Sequence, residues 1–341
     1  MLNRILSPAR LLTAAAIVLL AAVAFAVIHR TDEYLEVPDE AHPLAGLVSV
    51  PGGDKEPKDG GGIYYVDVLI KRASLLESLV PGLRPDGSDV IQREQLVQPG
   101  ISDQERIKLE LADMKLSQVV ASTVALRQLG YKVPVRLGGL RVVAVTAGSH
   151  AAGVLKPGDV IVAADGKPAR NRAELRTILE EKKVGEVVRL RYRRGGKLHD
   201  VAIKTTSDAT EPKRPIIGVL PIQAFNVHFP FNIRFDLGQV GGPSAGLAFA
   251  LELLERRGRD VDHGYKVAAT GEIQLDGTVT RIGGIKQKTL GARQADVDVF
   301  LVPKDGDNAK EAKRHAGDLR IIPVENFQQA LRALATLPPK D

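Results

Sequence analysis

The sequence predicts an α+β protein standing behind an N-terminal apolar helix, and three observations predict it. Leu11 to Ile28 is apolar apart from Thr13. Residues from about 133 to 207 break into short β-type runs separated by glycine-rich turn signals. From 216 onward, strand patterns and helix patterns follow one another in mixed order, as in an α/β unit. At 341 residues there is room for two or three domains, and 44% hydrophobic with 26% charged residues excludes wholesale disorder. There are no cysteines, which excludes disulfides, thiolate catalysis and cysteine-bound zinc and suits work outside the cytoplasm. The net charge of +6 is mild. Its densest basic stretch, Arg189 to Arg194, alternates with Leu190 and Tyr192 and so reads as a strand face, not as a nucleic-acid site.

The apolar run spans roughly 27 Å as a helix, close to the thickness of a hydrocarbon core. Arg4 and Arg10 precede it, while Asp32, Glu33, Glu36, Asp39 and Glu40 follow Arg30. The positive-inside rule then leaves residues 1–30 as a cytoplasmic tip and signal-anchor, with everything beyond on the outside of the cell membrane. The rival is a cleaved signal peptide, since Ala24-Phe25-Ala26 fits an A-x-A site; the apolar run continues up to that site, which favours the uncleaved anchor. Residues 31–61 are acidic and then rich in Pro and Gly (PGGDKEPKDGGG), and read as a stalk.

Gly62 to Ile70 is β-branched and aromatic, a strand pattern. Over 103–130, Ser102 offers an N-cap, Leu109, Met114, Val119, Val120 and Leu126 supply helical spacing, and Gly130 closes the helix. Residues 62–132 therefore form one structured part. In 133–208 the pieces GGLRVVAV, SHAAGVLKPGDVIVAADGKP and AELRTIL resemble the bacterial type of PDZ domain. That resemblance implies a β-rich unit with two helices and a groove where an extended peptide adds as a strand. It also implies that the backbone N–H groups of Gly138, Gly139 and Leu140 hold a peptide carboxylate. Residues 209–215 (ATEPKRP) read as a linker, and 216–339 as a mixed α/β domain.

Within that domain GQVGGPSAG, residues 238–246, places Ser244 before the helical pattern LAFALELLERRG. The stretch fits the nucleophile elbow G-x-S-x-G, but only His263 and His315 follow it, and His315 sits in the polar run AKRHAGD. A serine N-cap would explain the serine and not the small residues Gly241, Gly242, Ala245 and Gly246 around it. Small residues let a substrate backbone approach, and a helix N-terminus offers N–H groups to an oxyanion; Gly242 and Ala245 are the candidates for that role. A buried lysine of depressed pKa activates a serine without histidine. Counting about 100° per residue from Ile285, Lys288 falls near 300°, between Ala292 and Ala295, while Lys286 falls near 100° beside Arg293. Lys288 is the better base, since the apolar stripe penalises an ammonium.

GGPSAG, TGEIQLDGTV, IGGIKQK and VFLVP together resemble the proteolytic domain of Lon-family peptidases. The resemblance implies a Ser–Lys dyad of Ser244 and Lys288, with Thr270 near the lysine and supporting it. The early strand at 62–70 and the helix at 103–130 also resemble parts of that domain, so the PDZ is expected either inserted in it or preceding it. One departure is Gly241, where ATP-dependent members commonly carry an acidic residue. Another is the lack of any G-x-x-x-x-G-K-[ST] in the chain. The expectation is thus an ATP-independent, membrane-tethered serine endopeptidase with no cofactor and no metal. Its partners are protein or peptide substrates presented as unfolded segments or C-termini, and the membrane through the N-terminal helix; neither nucleic acid nor ATP is among them. The alternative is a catalytically silent PDZ adaptor that keeps a Lon-like fold for binding.

Overall fold

The computed structural model describes residues 8–53, 60–96, 101–338 and 340. Helix α1 (Pro8–Ile28) is apolar on every side and, from Ala9 onward, almost wholly exposed, so it packs into no core among the described residues. Its stretch Ala9–Ile28 is long and apolar enough to cross a membrane. The stalk expected over 31–61 is overturned, although residues 54–59 at its centre lie outside the described residues. Strand β1 (Arg30–Pro38) starts immediately after α1 and buries Tyr34 and Leu35. Beyond it Leu44, Val48 and Val50 are buried in the largest core. The acidic residues disguise these apolar positions in the sequence; burial of Tyr34, Leu35 and Leu44 holds the segment to the body of the molecule.

Strands β2 (Gly62–Tyr65) and β3 (Val68–Ser74) follow, then helix α2 (Leu75–Leu79), strand β4 (Asp89–Gln92) and helix α3 (Asp103–Gln128). Strand β1 runs antiparallel between β3 and β4, and this small sheet is separate from the others. A capping box starts α3: Ser102 Oγ accepts from Glu105 N–H, and the Glu105 carboxylate accepts from Ser102 N–H. Gly130, at φ +87°, ends the turn that closes it.

Strands β5 (Val135–Val145) and β6 (Val160–Ala164), helix α4 (Arg172–Glu180), strands β7 (Val187–Arg194) and β8 (Lys197–Lys204), and strand β9 (Val219–Val227) make the next unit. Its antiparallel sheet runs β8-β7-β6-β5-β9 over a core of its own that includes Leu140, Ile161, Leu190 and Ile217. The boundary expected between 208 and 216 does not hold. Strand β9 pairs with β5 along its whole length, from Val219 opposite Val145 to Val227 opposite Val135, so it belongs to this sheet. Residues 209–215 are ordered as well, for Asp208 accepts from Thr210 N–H and pairs with Arg214.

The chain then forms α5 (Gly246–Arg256), β10 (Lys266–Ala269), α6 (Ile285–Gln294), β11 (Val299–Pro303), α7 (Asn308–His315), β12 (Arg320–Val324) and α8 (Phe327–Ala335). Strands β2, β10, β11 and β12 lie parallel in that order, with His42–Pro43 antiparallel on the outer edge of β2. One core joins Leu44, Ile63, Met114 and Val124 to Leu247, Leu253, Leu301 and Phe327. Residues on both sides of the β5–β9 unit thus bury together, and that unit is inserted in the α/β fold. Its entry and exit are neighbours because Val135 and Val227 are paired.

Candidate active site

Ser244 sits on the turn that opens α5, half-buried. The turn is held by segments distant in the chain. Ser117 Oγ of α3 donates to the Pro243 carbonyl at 2.9 Å. The Ser244 carbonyl accepts from Gly271 N–H at 2.7 Å and from Thr270 Oγ1 at 3.2 Å. Gly246 has to be bare, since a Cβ there would lie 2.9 Å from both Ile273 Cγ2 and Ser117 Oγ. The side chain of Ser244 is not a helix cap: the N-cap position of α5 is Ala245 and carries no side-chain cap bond. Its hydroxyl points elsewhere.

Lys288 Nζ lies 2.7 Å from Ser244 Oγ. Lys288 stands on the first turn of α6, whose N-cap Gly284 adopts φ +66°, and it is 3% exposed. Burial lowers its pKa from 10.5 to about 8, against the pull of Asp67 and Glu36, whose negative charge favours the ammonium. Burial also pushes the Glu36 and Asp67 carboxyls up, while the Lys288 charge pulls both down. All three groups are therefore drawn toward neutrality by desolvation. An ammonium at Lys288 donates to Ser244 Oγ; after losing its proton, the amine can accept one from Oγ–H across the same contact. Lys286 points away and pairs with Asp89 at 2.7 Å, so it is anchored by a partner and not simply solvated. Gln287 and Thr289 are buried too: Gln287 Nε2 donates to the Gly87 carbonyl at 3.3 Å and to the Asp89 carboxylate at 2.8 Å, and Thr289 Oγ1 donates to the Ile285 carbonyl at 2.7 Å.

The remaining candidates fall in several places. Thr270 is fully buried, and its hydroxyl bonds the Ser244 carbonyl; among the described residues it makes no bond to Lys288. Ala245 N–H and Ser244 N–H have no partner among the described residues and lie at the start of α5, where an oxyanion is favoured. Gly242 has to be corrected as an oxyanion donor, since its N–H already donates to the Glu110 carbonyl of α3 at 2.8 Å. Gly138, Gly139 and Leu140 also need correction. They lie inside β5, with β9 on one side and β6 on the other, and so form no open loop for a carboxylate. Strands β8 and β9 are the two edges of that sheet; β9 is the one that faces α4, and a cleft there is lined by Asn171, Arg172, Ala173, Ile222 and Gln223 and by Asp113 and Leu116 of α3. His263 pairs with Asp260 and His315 with Glu311, so neither serves Ser244. Among the described residues Asp39, His42 and Asp67 form one cluster of the kind that can ligate a metal, and Glu255, Asp260 and Asp262 another; neither contains Ser244 or Lys288.

Sequence reasoning missed Glu36, Asp67, Glu110 and Ser117. The alternation in YLEVP was the only hint for Glu36, and no local pattern marks the others.

Residues 226–336 match the family described as the Lon protease (S16) C-terminal proteolytic domain, and residues 124–205 match the PDZ domain family. A Lon protease of Clostridium beijerinckii is 40% identical over 119 residues, which is 33% of this chain and 15% of that protein. Lon protease 1 of Syntrophobacter fumaroxidans is 32% identical over 150 residues, 42% of this chain and 18% of that protein. The chain thus spans under a fifth of the length of these relatives. The crystal structure of the PDZ domain of an SdrC-like protein from Listeria monocytogenes is 33% identical, with a TM-score of 0.23, over 25% of this chain and 87% of that one.

Proposed function

We propose that this chain, which carries a Lon-type proteolytic domain and a PDZ domain, is a membrane-tethered serine endopeptidase that works without ATP. The observation that carries the reading is the 2.7 Å contact between Ser244 Oγ and a lysine amine that burial holds at a pKa of about 8. Neutral Lys288 takes the proton as Oγ attacks the scissile carbonyl. The tetrahedral oxyanion is met by the N–H groups of Ser244 and Ala245 at the start of α5. Lys288 then returns its proton to the departing amine, and the acyl-enzyme forms. In the second half Lys288 draws a proton from water, which attacks the ester and releases Ser244. Thr270 and Gly271 hold the Ser244 carbonyl throughout, which fixes the backbone from which the nucleophile projects.

Extended peptides or exposed C-termini add to the β9 edge against α4, in place of the glycine-led strand β5. The chain is tethered by α1 with the catalytic unit outside the cytoplasm, a reading supported by the charge asymmetry around the apolar run. An activity-based serine probe on the full chain tests the enzyme reading. Labelling at Ser244 that disappears in Ser244→Ala and Lys288→Ala is the expected result. An unlabelled wild-type protein that still binds peptides would mean a binding platform with a Lon-like fold.

A further inference from the structure

Helix α1 ends at Ile28, and the next backbone carbonyl, that of His29, accepts from Leu75 N–H at 2.8 Å. Helix α2 therefore begins at the mouth of α1, and it packs against α1. The turn beyond α2 is unusual for a protein surface. Leu79, Val80, Pro81, Gly82 and Leu83 are five consecutive apolar residues, and all are exposed. Leu79 is 68% exposed, Val80 42% and Leu83 55%, so the run forms a contiguous apolar patch and not a single stray leucine. The turn is rigid, because Arg84 donates to the carbonyls of Glu77 at 2.8 Å and Ser78 at 3.2 Å. A floppy polar loop would hide such residues or lack them; this one is braced with its leucines outward.

Helix α2 is five residues long, about 8 Å, so the knuckle stands within about 10 Å of the end of α1. That is the depth over which apolar groups settle into the boundary between headgroups and acyl chains. We propose that the Leu79–Leu83 knuckle is a second membrane contact, seated in the leaflet that faces the catalytic unit. The inference rests on the reading of α1 as a membrane anchor. Lipid is the occupant it commits to, because α2, which carries the knuckle, packs against the end of the apolar helix α1, and Arg30 at that junction, paired with Glu77 at 3.9 Å yet 53% exposed, would meet the headgroups. Two contacts instead of one fix the tilt of the β1–β3–β4 sheet, and with it α6 and Lys288, relative to the bilayer.

The absence of cysteine makes the test direct. Single-cysteine variants Ile17→Cys, Leu83→Cys and Leu198→Cys of the full chain are labelled with an environment-sensitive fluorophore and reconstituted into vesicles. Leu198 is 58% exposed on β8 and serves as the water-facing reference. The labels at 17 and 83 should shift to the blue and be quenched by spin-labelled acyl chains, and the label at 198 should do neither. A label at 83 as wet as that at 198, with 17 quenched, overturns the knuckle and leaves the anchor standing. A label at 83 shielded from water yet unquenched by lipid means a protein partner, and overturns it as well. If 17 is not quenched, anchor and knuckle both fail.

Discussion

Lys288 is the base in the proposed mechanism, and its lowered pKa gives two separable predictions. Its folded-state value of about 8 means that activity should rise with pH through about 8 and then level off, as read from kcat/KM on a soluble peptide. Lys288→Arg should be inactive, since arginine does not deprotonate in this range. Lys286→Ala should keep most activity, because its amine is held by Asp89 and not by Ser244. Loss in Lys286→Ala with activity kept in Lys288→Ala would show that the base has been misassigned. The second prediction concerns stability. The unfolded lysine titrates near 10.5, so between about pH 8 and 10.5 the unfolded chain binds more protons than the folded one, and stability rises with pH across that window. Below it the buried ammonium costs about 3 kcal/mol. Lys288→Met should therefore raise Tm at pH 7 while abolishing turnover, and the gain should fade above about pH 10.5. A lower Tm at pH 7 would show that Glu36 and Asp67 stabilise the charge more than burial penalises it.

At the scale of elements, the open edge of β9 carries the binding prediction. Arg172 of α4 donates to the Pro221 carbonyl, and Gln223 Nε2 donates to the Arg170 carbonyl at 2.9 Å. An added peptide strand competes with the Arg172 contact for the β9 backbone and with the Gln223 contact for the space between β9 and α4. Arg172→Ala should tighten binding of a C-terminal peptide, measured by fluorescence anisotropy, and Ile222→Asp should weaken it several-fold. A peptide that binds equally to wild type and to both variants would put the groove elsewhere. Helices α3 and α6 are legible in the sequence because caps and glycines lie within one turn of their ends. Strand β1 is not. Its apolar residues are interleaved with acids, and only pairing with β3 and β4 makes it a strand.

Across the whole molecule, the β5–β9 unit has its own core and leaves the α/β fold at a paired position. Replacing residues 136–226 by a short glycine-rich turn should leave a protein that unfolds cooperatively and still labels at Ser244. It should lose discrimination among longer substrates. Collapse of the remaining fold, seen as loss of a thermal transition, would mean that the inserted unit also braces α3, which holds Gly242 and Pro243 through Glu110 and Ser117.

Local chemistry by itself determined the apolar helix, the small-residue turn at Ser244 and which of two lysines is buried, since length, residue size and helical angle are all encoded within a few positions. Even there helical angle alone is incomplete: Lys288 lies on the buried stripe, but Gln287 and Thr289, off that stripe, are covered as well. Tertiary structure decided what depends on segments far apart in the chain. It brought Glu36 and Asp67 to bear on a lysine more than two hundred residues away. It turned Gly138–Leu140 into the middle of a sheet by laying β9 beside β5, and it directed Gly242 N–H to Glu110. Each of these is a pairing between distant backbones or a charge felt across a buried space, and neither leaves a trace in local spacing.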